Sequence, residues 1–232
     1  ETSAIAEVLT QSHGRCLGLV RGGRGRKLRP LLQPGNHVDC TWHARLEEHL
    51  GHFVLEPLHL QAGLIIDEPL RLLGLTSLTA LAQLLPEREP HPRLFSALQV
   101  VLATIDQDQV WPVLLVRWEL GLLDELGFGL DLTTCAATGG NSDLVYVSPK
   151  TGRAVSRAAG LPYHQRLFQL PPFLRGEDHG GAADVMEGLR LTGYFLERHV
   201  FGPRAVGMPQ SRQMLQEKLG QSLGQSLGQR TH

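Results

Sequence analysis

The sequence predicts an α+β fold in which a small β-barrel precedes a mainly α-helical domain. Up to about residue 58, short apolar runs alternate with turn residues such as Gly14, Pro30 and Pro34, a pattern typical of short strands. From Asp67 onward, leucines recur at intervals of three and four residues, which predicts helices. Because many short strands in one small segment favour a closed sheet, the first segment is predicted to be the barrel.

The individual elements follow from local signals. Residues 4–9 alternate in polarity and predict the first strand, and residues 53–55 predict the last strand of the barrel. The first long helix should begin at residues 67–69, where two acids precede a proline. Two more helices should follow Pro92 and Pro112, the latter ending at Gly127 or Gly129.

The remaining third of the chain has a weaker pattern. Residues 131–172 lose both periods, apart from a short strand at residues 144–147, and residues 183–200 are predicted to be helical. The tail, residues 216–232, repeats Leu-Gly-Gln-Ser and is predicted to be disordered because of its low complexity.

Composition limits the possible functions. The net charge is −1 and aromatic residues make up 6% of the 232 residues, so nucleic acid could bind only at a local basic face with few stacking side chains. Three cysteines without paired spacing argue against a disulfide scaffold. No apolar run approaches 18 residues, and no membrane association is expected. The expected location is the cytoplasm.

The most informative motif is the basic loop, residues 21–29, which follows the apolar run 16–20. Between residues 15 and 29 there are six cations and no acid: Arg15, Arg21, Arg24, Arg26, Lys27 and Arg29. Such cations release counterions from a phosphate backbone, and the interspersed glycines allow close approach. A solvated basic turn is the alternative interpretation of the loop taken alone.

Four segments, in order, resemble the bacterial recombination mediator family RecO. They are the entry ETSAIAEVLT with its basic loop and Leu-Gln-Pro exit (1–34), WELGLLDELGFGLDL (118–132), VYVSPKTGRAVS (145–156) and LRLTGYFLERH (189–199). The resemblance covers about residues 1 to 215 and is more specific than any single motif.

The resemblance implies a domain organisation. Residues 1–58 should form an oligonucleotide-binding (OB) fold, and residues 59–215 a helical domain whose segment 131–172 resembles a degenerate zinc module. The implied function is that of a DNA repair and recombination mediator. Such a protein binds single- and double-stranded DNA, anneals complementary strands and helps RecR load RecA onto DNA coated by single-stranded DNA-binding protein. Its expected location is the nucleoid.

Site residues are predicted for DNA and for a partner. The six cations of residues 15–29 are predicted to contact phosphates, and Trp42 either stacks a base or is a buried strand residue. The resemblance implies a site in the helical domain for the acidic-aromatic tail of single-stranded DNA-binding protein. Arg117, Trp118 and Leu122 offer a cation beside apolar groups for that tail, or else a core helix with one exposed arginine.

No metal or other cofactor is expected. Where several members of the resembled family hold zinc with two Cys-x-x-Cys pairs, this chain has Cys135 with Thr138, and Ser156 with Ala159. One thiolate cannot form a tetrahedral zinc site, so packing of Tyr146 and Val155 should hold the module. His49 and His52 have a spacing that two metal ligands could use, but no cysteine or carboxylate completes a site.

No catalytic constellation is present, and the chain is not expected to be an enzyme. Asp106 and Asp108 could serve a metal-dependent nuclease, although a solvated helix cap explains them more simply. The stronger rival is a protein-interaction adaptor that has lost DNA binding. Binding of a labelled oligonucleotide at low salt would separate the adaptor from the mediator.

The resemblance also implies that a first barrel strand precedes Glu1. In the 232-residue chain the barrel should then have open edges, and side chains such as Val8 and Leu19 should lose burial worth about 1.5–3 kcal/mol each. We therefore expect amides between residues 4 and 42 to exchange hydrogen sooner than those between residues 94 and 126. Equal protection of both regions would contradict this expectation.

Overall fold

The computed structural model describes residues 2–46, 49–177 and 180–228, with side chains described as far as residue 221. The chain divides into two compact units, an N-terminal unit of residues 1–103 and a C-terminal unit of residues 104–232. Strands are followed by helices in the order predicted, and the α+β class is confirmed.

The N-terminal unit contains a four-stranded sheet in the order β1-β2-β4-β3. β1 and β2 are antiparallel, as are β3 and β4, whereas β2 and β4 pair in parallel at Leu19 and His52. β1 and β3 are the edges, and no pairing between described residues joins them. The strands are β1 (Ala4–Thr10), β2 (Gly14–Val20), β3 (His37–His43) and β4 (His52–His59).

One side chain of β4, that of Phe53, lies on the inner side of this sheet. Phe53 is buried, and a side chain at Gly18 would lie 2.6 Å from its ring, so glycine is needed where β2 crosses over it. Val20, Leu31 and Ile65 are also buried in the N-terminal unit. The strands predicted for residues 1–58 are thus present as a small, open sheet, and the bounds of the expected OB-fold domain stay a prediction.

Three helices also belong to the N-terminal unit: α1 (Gln61–Leu64), α2 (Pro69–Ala82) and α3 (Pro92–Ala103). The segment between α2 and α3 is tied to β2, because Arg15 donates from Nε to the carbonyl of Leu85 at 2.8 Å and pairs with Glu87 at 3.6 Å. The compact unit therefore extends beyond residue 59, where the strands end.

The C-terminal unit is built on α4 (Trp111–Glu125), α6 (Ala182–Leu196) and α7 (Gln210–Gly228). The segment 131–172 forms a three-stranded sheet, in the order β6-β5-β7, from β5 (Leu144–Val147), β6 (Ala154–Ser156) and β7 (Phe168–Gln169). The short helix α5 (Arg157–Gly160) follows β6. Tyr146 and Val155 are buried in this module.

The tail differs from the prediction, because α7 continues to Gly228. The repeated leucine has a spacing of four residues, which suits a helix even though the composition is of low complexity. The last four residues of the predicted tail lie outside the described part of the chain.

A buried ion pair joins the three long helices of the C-terminal unit. Arg212 on α7 donates from Nε and Nη2 to the two carboxylate oxygens of Glu119 on α4, at 2.5 and 3.0 Å. Nη2 also donates to the carbonyl of Leu189 at 2.9 Å, and the Thr192 hydroxyl donates to Glu119. Both charged side chains are almost fully buried, so the hydrogen bonds replace their hydration.

Removing one partner should leave a buried, unpaired charge. We expect Glu119→Leu to lower the free energy of unfolding by about 3–5 kcal/mol, measured by urea denaturation. Glu119→Leu with Arg212→Met should recover most of this loss, and Arg190→Ala, which breaks an exposed pair with Glu187, should cost about 1 kcal/mol or less. Wild-type stability for the Glu119 single variant would refute the role given to this pair.

Candidate nucleic-acid interface

The basic loop leaves the sheet at the end of β2 and has a backbone fixed by its own hydrogen bonds. Arg24 N donates to Thr2 O at 2.9 Å, and Gly25 N donates to Gly22 O at 2.8 Å. Gly22 has a φ of +70°, which favours glycine at this turn. The start of the loop is thereby anchored to the chain that enters β1.

The second half of the loop winds into a helical turn. Arg29 N donates to Gly25 O at 3.0 Å, and Leu32 N donates to Leu28 O at 3.2 Å. The Asn36 amide donates to the carbonyls of Pro30 and Leu31. The main chain of the loop is therefore ordered without help from its charged side chains.

Five of the six residues that are predicted to contact phosphates are exposed. Their side chains form no ion pair with any described residue: Arg21, Arg24, Arg26, Lys27 and Arg29. An exposed, unpaired cation keeps its full charge for a ligand. The loop brings these five groups together on one short, fixed segment.

Arg15 differs from the other five cations. Its side chain is 18% exposed, with Nη1 2.8 Å from Glu7 and Nε bonded to the Leu85 carbonyl. These contacts hold the sheet against the segment after α2. In this structure Arg15 therefore stabilises the N-terminal unit, and its predicted contact with a phosphate stays a prediction.

Trp42, the predicted stacking residue, lies at the end of edge strand β3 and is 37% exposed. Its indole N–H donates to Leu50 O at 3.1 Å, and the Arg88 guanidinium lies 5.6 Å from the ring centroid. Arg88 has a φ of +59°, an uncommon conformation for this residue. Arg88 had no local sequence signal, because it reaches Trp42 from 46 residues away.

The predicted partner site is divided by the structure. Arg117 is exposed and donates to Phe173 O at 2.7 Å, whereas Trp118 and Leu122 are 1% and 0% exposed. α4 turns the arginine outward and the two apolar side chains into the core. Only Arg117 of these three residues faces solvent.

The positions that resemble a zinc module lie close together, although their ligands differ. The Cys135 Sγ lies 3.5 Å from the Ser156 Oγ and accepts the Ser156 backbone N–H at 3.3 Å. Burial raises the pKa of the thiol, but hydrogen bonds with Thr138 and Ser156 outweigh burial and lower the pKa of Cys135 to about 6. Hydrogen bonds thus join the two halves of the module.

Asp131 organises the entry to the same module. Its carboxylate accepts bonds from Thr133 and Thr134 and pairs with Arg153 at 3.2 Å. The hydrogen bonds from Thr134 and Thr133 hold the pKa of Asp131 well below its usual range. Asp131 and Arg153 thereby connect the chain after α4 to β6 without a metal.

The other metal hypotheses gain no support from the geometry. His52 stacks on His43 across the β3–β4 ladder at 5.1 Å, and Asp106 and Asp108 lie exposed between α3 and α4. Within the described ranges, no group of three or more His, Cys, Asp or Glu side chains is placed to hold a metal ion. No helix within the described part of the chain is both long and apolar enough to cross a membrane.

Comparison with known proteins gives a consistent result over most of the chain. Residues 1–58 match the family model Recombination protein O N terminal, and residues 67–206 match Recombination protein O C terminal. A DNA repair protein RecO of Methylorubrum extorquens (strain PA1) is 53% identical over 219 residues, covering 91% of this chain and 89% of that protein. The protein of the same name from Rhizobium etli is 54% identical over 209 residues, covering 89% and 81%.

We expect the purified protein to carry no stoichiometric zinc, because hydrogen bonds rather than four metal ligands join the module. Elemental analysis of protein prepared without chelator would test this. The variant Thr138→Cys, Ser156→Cys and Ala159→Cys should acquire a tetrahedral site together with Cys135, detected by the absorption of bound Co²⁺. One zinc ion per wild-type chain would contradict the ligand count.

Proposed function

Because the chain belongs to the recombination protein O family, and its role therefore lies in DNA repair and recombination, we propose that it is a mediator that binds DNA through its basic loop. In this proposal it binds single- and double-stranded DNA and anneals complementary strands. It works with RecR to load RecA onto DNA coated by single-stranded DNA-binding protein. Because the proposed ligand is chromosomal DNA, the protein would act in the cytoplasm, at the nucleoid.

The observation that supports this function is the set of five exposed cations on the fixed basic loop, which have no ion-pair partner among the described residues. The chain as a whole has a net charge of −1, so their field is local. Each contact with a phosphate releases condensed counterions, which supplies affinity without sequence preference. Ordering of the loop before binding lowers the entropy cost of the complex.

Annealing requires no catalytic group. Two complementary strands repel each other through their phosphates, and cations that neutralise this charge allow base pairing to proceed. Trp42 supports the same function, since its partly exposed ring is suited to stacking on an unpaired base. The Arg88 guanidinium beside that ring adds a cation where the backbone of such a strand would pass.

For the protein partner, we propose that Arg117 receives the C-terminal carboxylate of the single-stranded DNA-binding protein tail. The arginine is exposed and its guanidinium is positioned by Phe173 O. Trp118 and Leu122 lie beneath it in the core and would support the site rather than line it. An Arg117→Ala variant should therefore weaken binding of a peptide with this tail while leaving oligonucleotide affinity unchanged.

The salt dependence of oligonucleotide binding tests the basic loop. We expect Arg24→Ala, Arg26→Ala and Lys27→Ala together to reduce the slope of log K against log salt by about 2, at about 0.7 for each phosphate contact to a single strand. Fluorescence anisotropy of a labelled single-stranded oligonucleotide gives the slope.

The matched control removes three exposed cations elsewhere: Arg93→Ala, Arg190→Ala and Arg204→Ala. It has the same net charge as the loop variant and should retain the wild-type slope. Equal slopes for the loop variant and the wild type would exclude the loop from the DNA surface. Failure of the wild type to bind at low salt would instead favour the adaptor hypothesis.

A further inference from the structure

A second segment of the chain shares the charge pattern of the basic loop. From residue 144 to residue 176 there are five cations and no acid: Lys150, Arg153, Arg157, Arg166 and Arg175. This segment forms the three-stranded sheet of the C-terminal unit and the turns around it. It therefore lies in a different compact unit from the basic loop.

Three of these cations are used by the structure. Arg153 pairs with Asp131 and Arg157 with Asp143, each at 3.2 Å, and Arg175 pairs with Glu177 at 2.9 Å. Lys150 and Arg166 are exposed and form no ion pair with the described residues. Their charges remain available to a ligand.

The exposed turn between α5 and β7 carries an aromatic side chain three residues before Arg166. Residues Leu161–Arg166 form a 3₁₀-helix in which every side chain is exposed, and Tyr163 is 62% exposed. Side chains three residues apart are eclipsed in a 3₁₀-helix. Tyr163 therefore lies on the same side of the turn as Arg166.

The sheet register brings Lys150 to the same end of the module. Phe168 on β7 pairs with Val147 on β5 in antiparallel fashion. Arg166 precedes Phe168 by two residues and Lys150 follows Val147 by three, so both cations extend from the same end of this strand pair. Lys150, Tyr163 and Arg166 are named here the Tyr163 surface.

We propose that the Tyr163 surface is a second contact for single-stranded DNA, distinct from the basic loop. Tyr163 stacks on a base, and Lys150 and Arg166 contact the flanking phosphates. The inference rests on the proposed DNA-binding function and extends it, since a chain with one contact in each unit engages a strand, or two strands, at two places.

The phenol ring is tested by Tyr163→Ala, with Tyr163→Phe as the matched control. Loss of one stacked base should weaken affinity for a single-stranded oligonucleotide about five-fold or more, with little change in salt slope because no charge is removed. Tyr163→Phe keeps the ring and should keep the wild-type affinity. Because Tyr163 is mostly exposed, both variants should retain the wild-type circular dichroism.

The two cations are tested by Lys150→Ala with Arg166→Ala, against Arg190→Ala with Arg204→Ala as a control of equal charge. The first pair should reduce the salt slope by about 1.4, twice the 0.7 of a single phosphate contact, and the control should leave it unchanged. The same reduction is expected when the pair is added to the triple variant of the basic loop.

These experiments separate this inference from the proposed function. If the loop variant lowers the slope while the Tyr163 and Lys150/Arg166 variants match their controls, the Tyr163 surface is excluded and the proposed function stands. If the wild type fails to bind DNA, both are overturned. The stacking role would also be overturned if Tyr163→Phe weakened binding as much as Tyr163→Ala does.

Discussion

The C-terminal unit depends on the buried ion pair between the Arg212 guanidinium and the Glu119 carboxylate. A buried charge is tolerated only when paired and fully hydrogen-bonded, and Arg212 meets this condition through Glu119, Thr192 and the Leu189 carbonyl. These partners come from α4 and α6, and the arginine comes from α7. Two of the segments that resemble the family, residues 118–132 and 189–199, therefore meet at one buried cation.

The cations of the chain differ in whether the fold supplies a carboxylate partner. Arg15, Arg153 and Arg212 have carboxylate partners that fix their side chains to the fold. The five cations of the basic loop have none among the described residues, and the loop is ordered by backbone hydrogen bonds instead. A cation that the fold does not require is free to pair with phosphate, which is the physical basis of the proposed function.

The sequence predicted those features that depend on local chemistry. The strand at residues 144–147 coincides with β5, the prolines at 69, 92 and 112 lie at helix starts, and the exposed cations of the loop follow from glycine-rich turns. The strand pattern alone predicted a small barrel, and the family resemblance identified that barrel as an OB fold. The sequence did not decide which face of α4 is exposed, because apolar residues both precede and follow Arg117.

Long-range contacts account for what the sequence did not reveal. Arg15 belongs by sequence to the basic segment, but its partners at residues 85 and 87 are brought to it by the fold. The lack of zinc ligands was predicted by counting thiolates, whereas the hydrogen bonds among Cys135, Thr138 and Ser156 depend on how the fold brings these residues together. The backbone helix of α7 could not be inferred from a composition typical of disorder.

Footprinting of lysines can show directly whether the basic loop is the DNA surface. The chain has three lysines, Lys27, Lys150 and Lys218, of which the first lies in the basic loop. Amine acetylation with and without saturating single-stranded oligonucleotide at low salt, followed by mass spectrometry, measures each one. If the basic loop binds DNA, Lys27 should be strongly protected and the labelling of Lys218 on α7 should be unchanged. Labelling of Lys27 at the same rate with and without DNA would rule out the loop as the DNA surface.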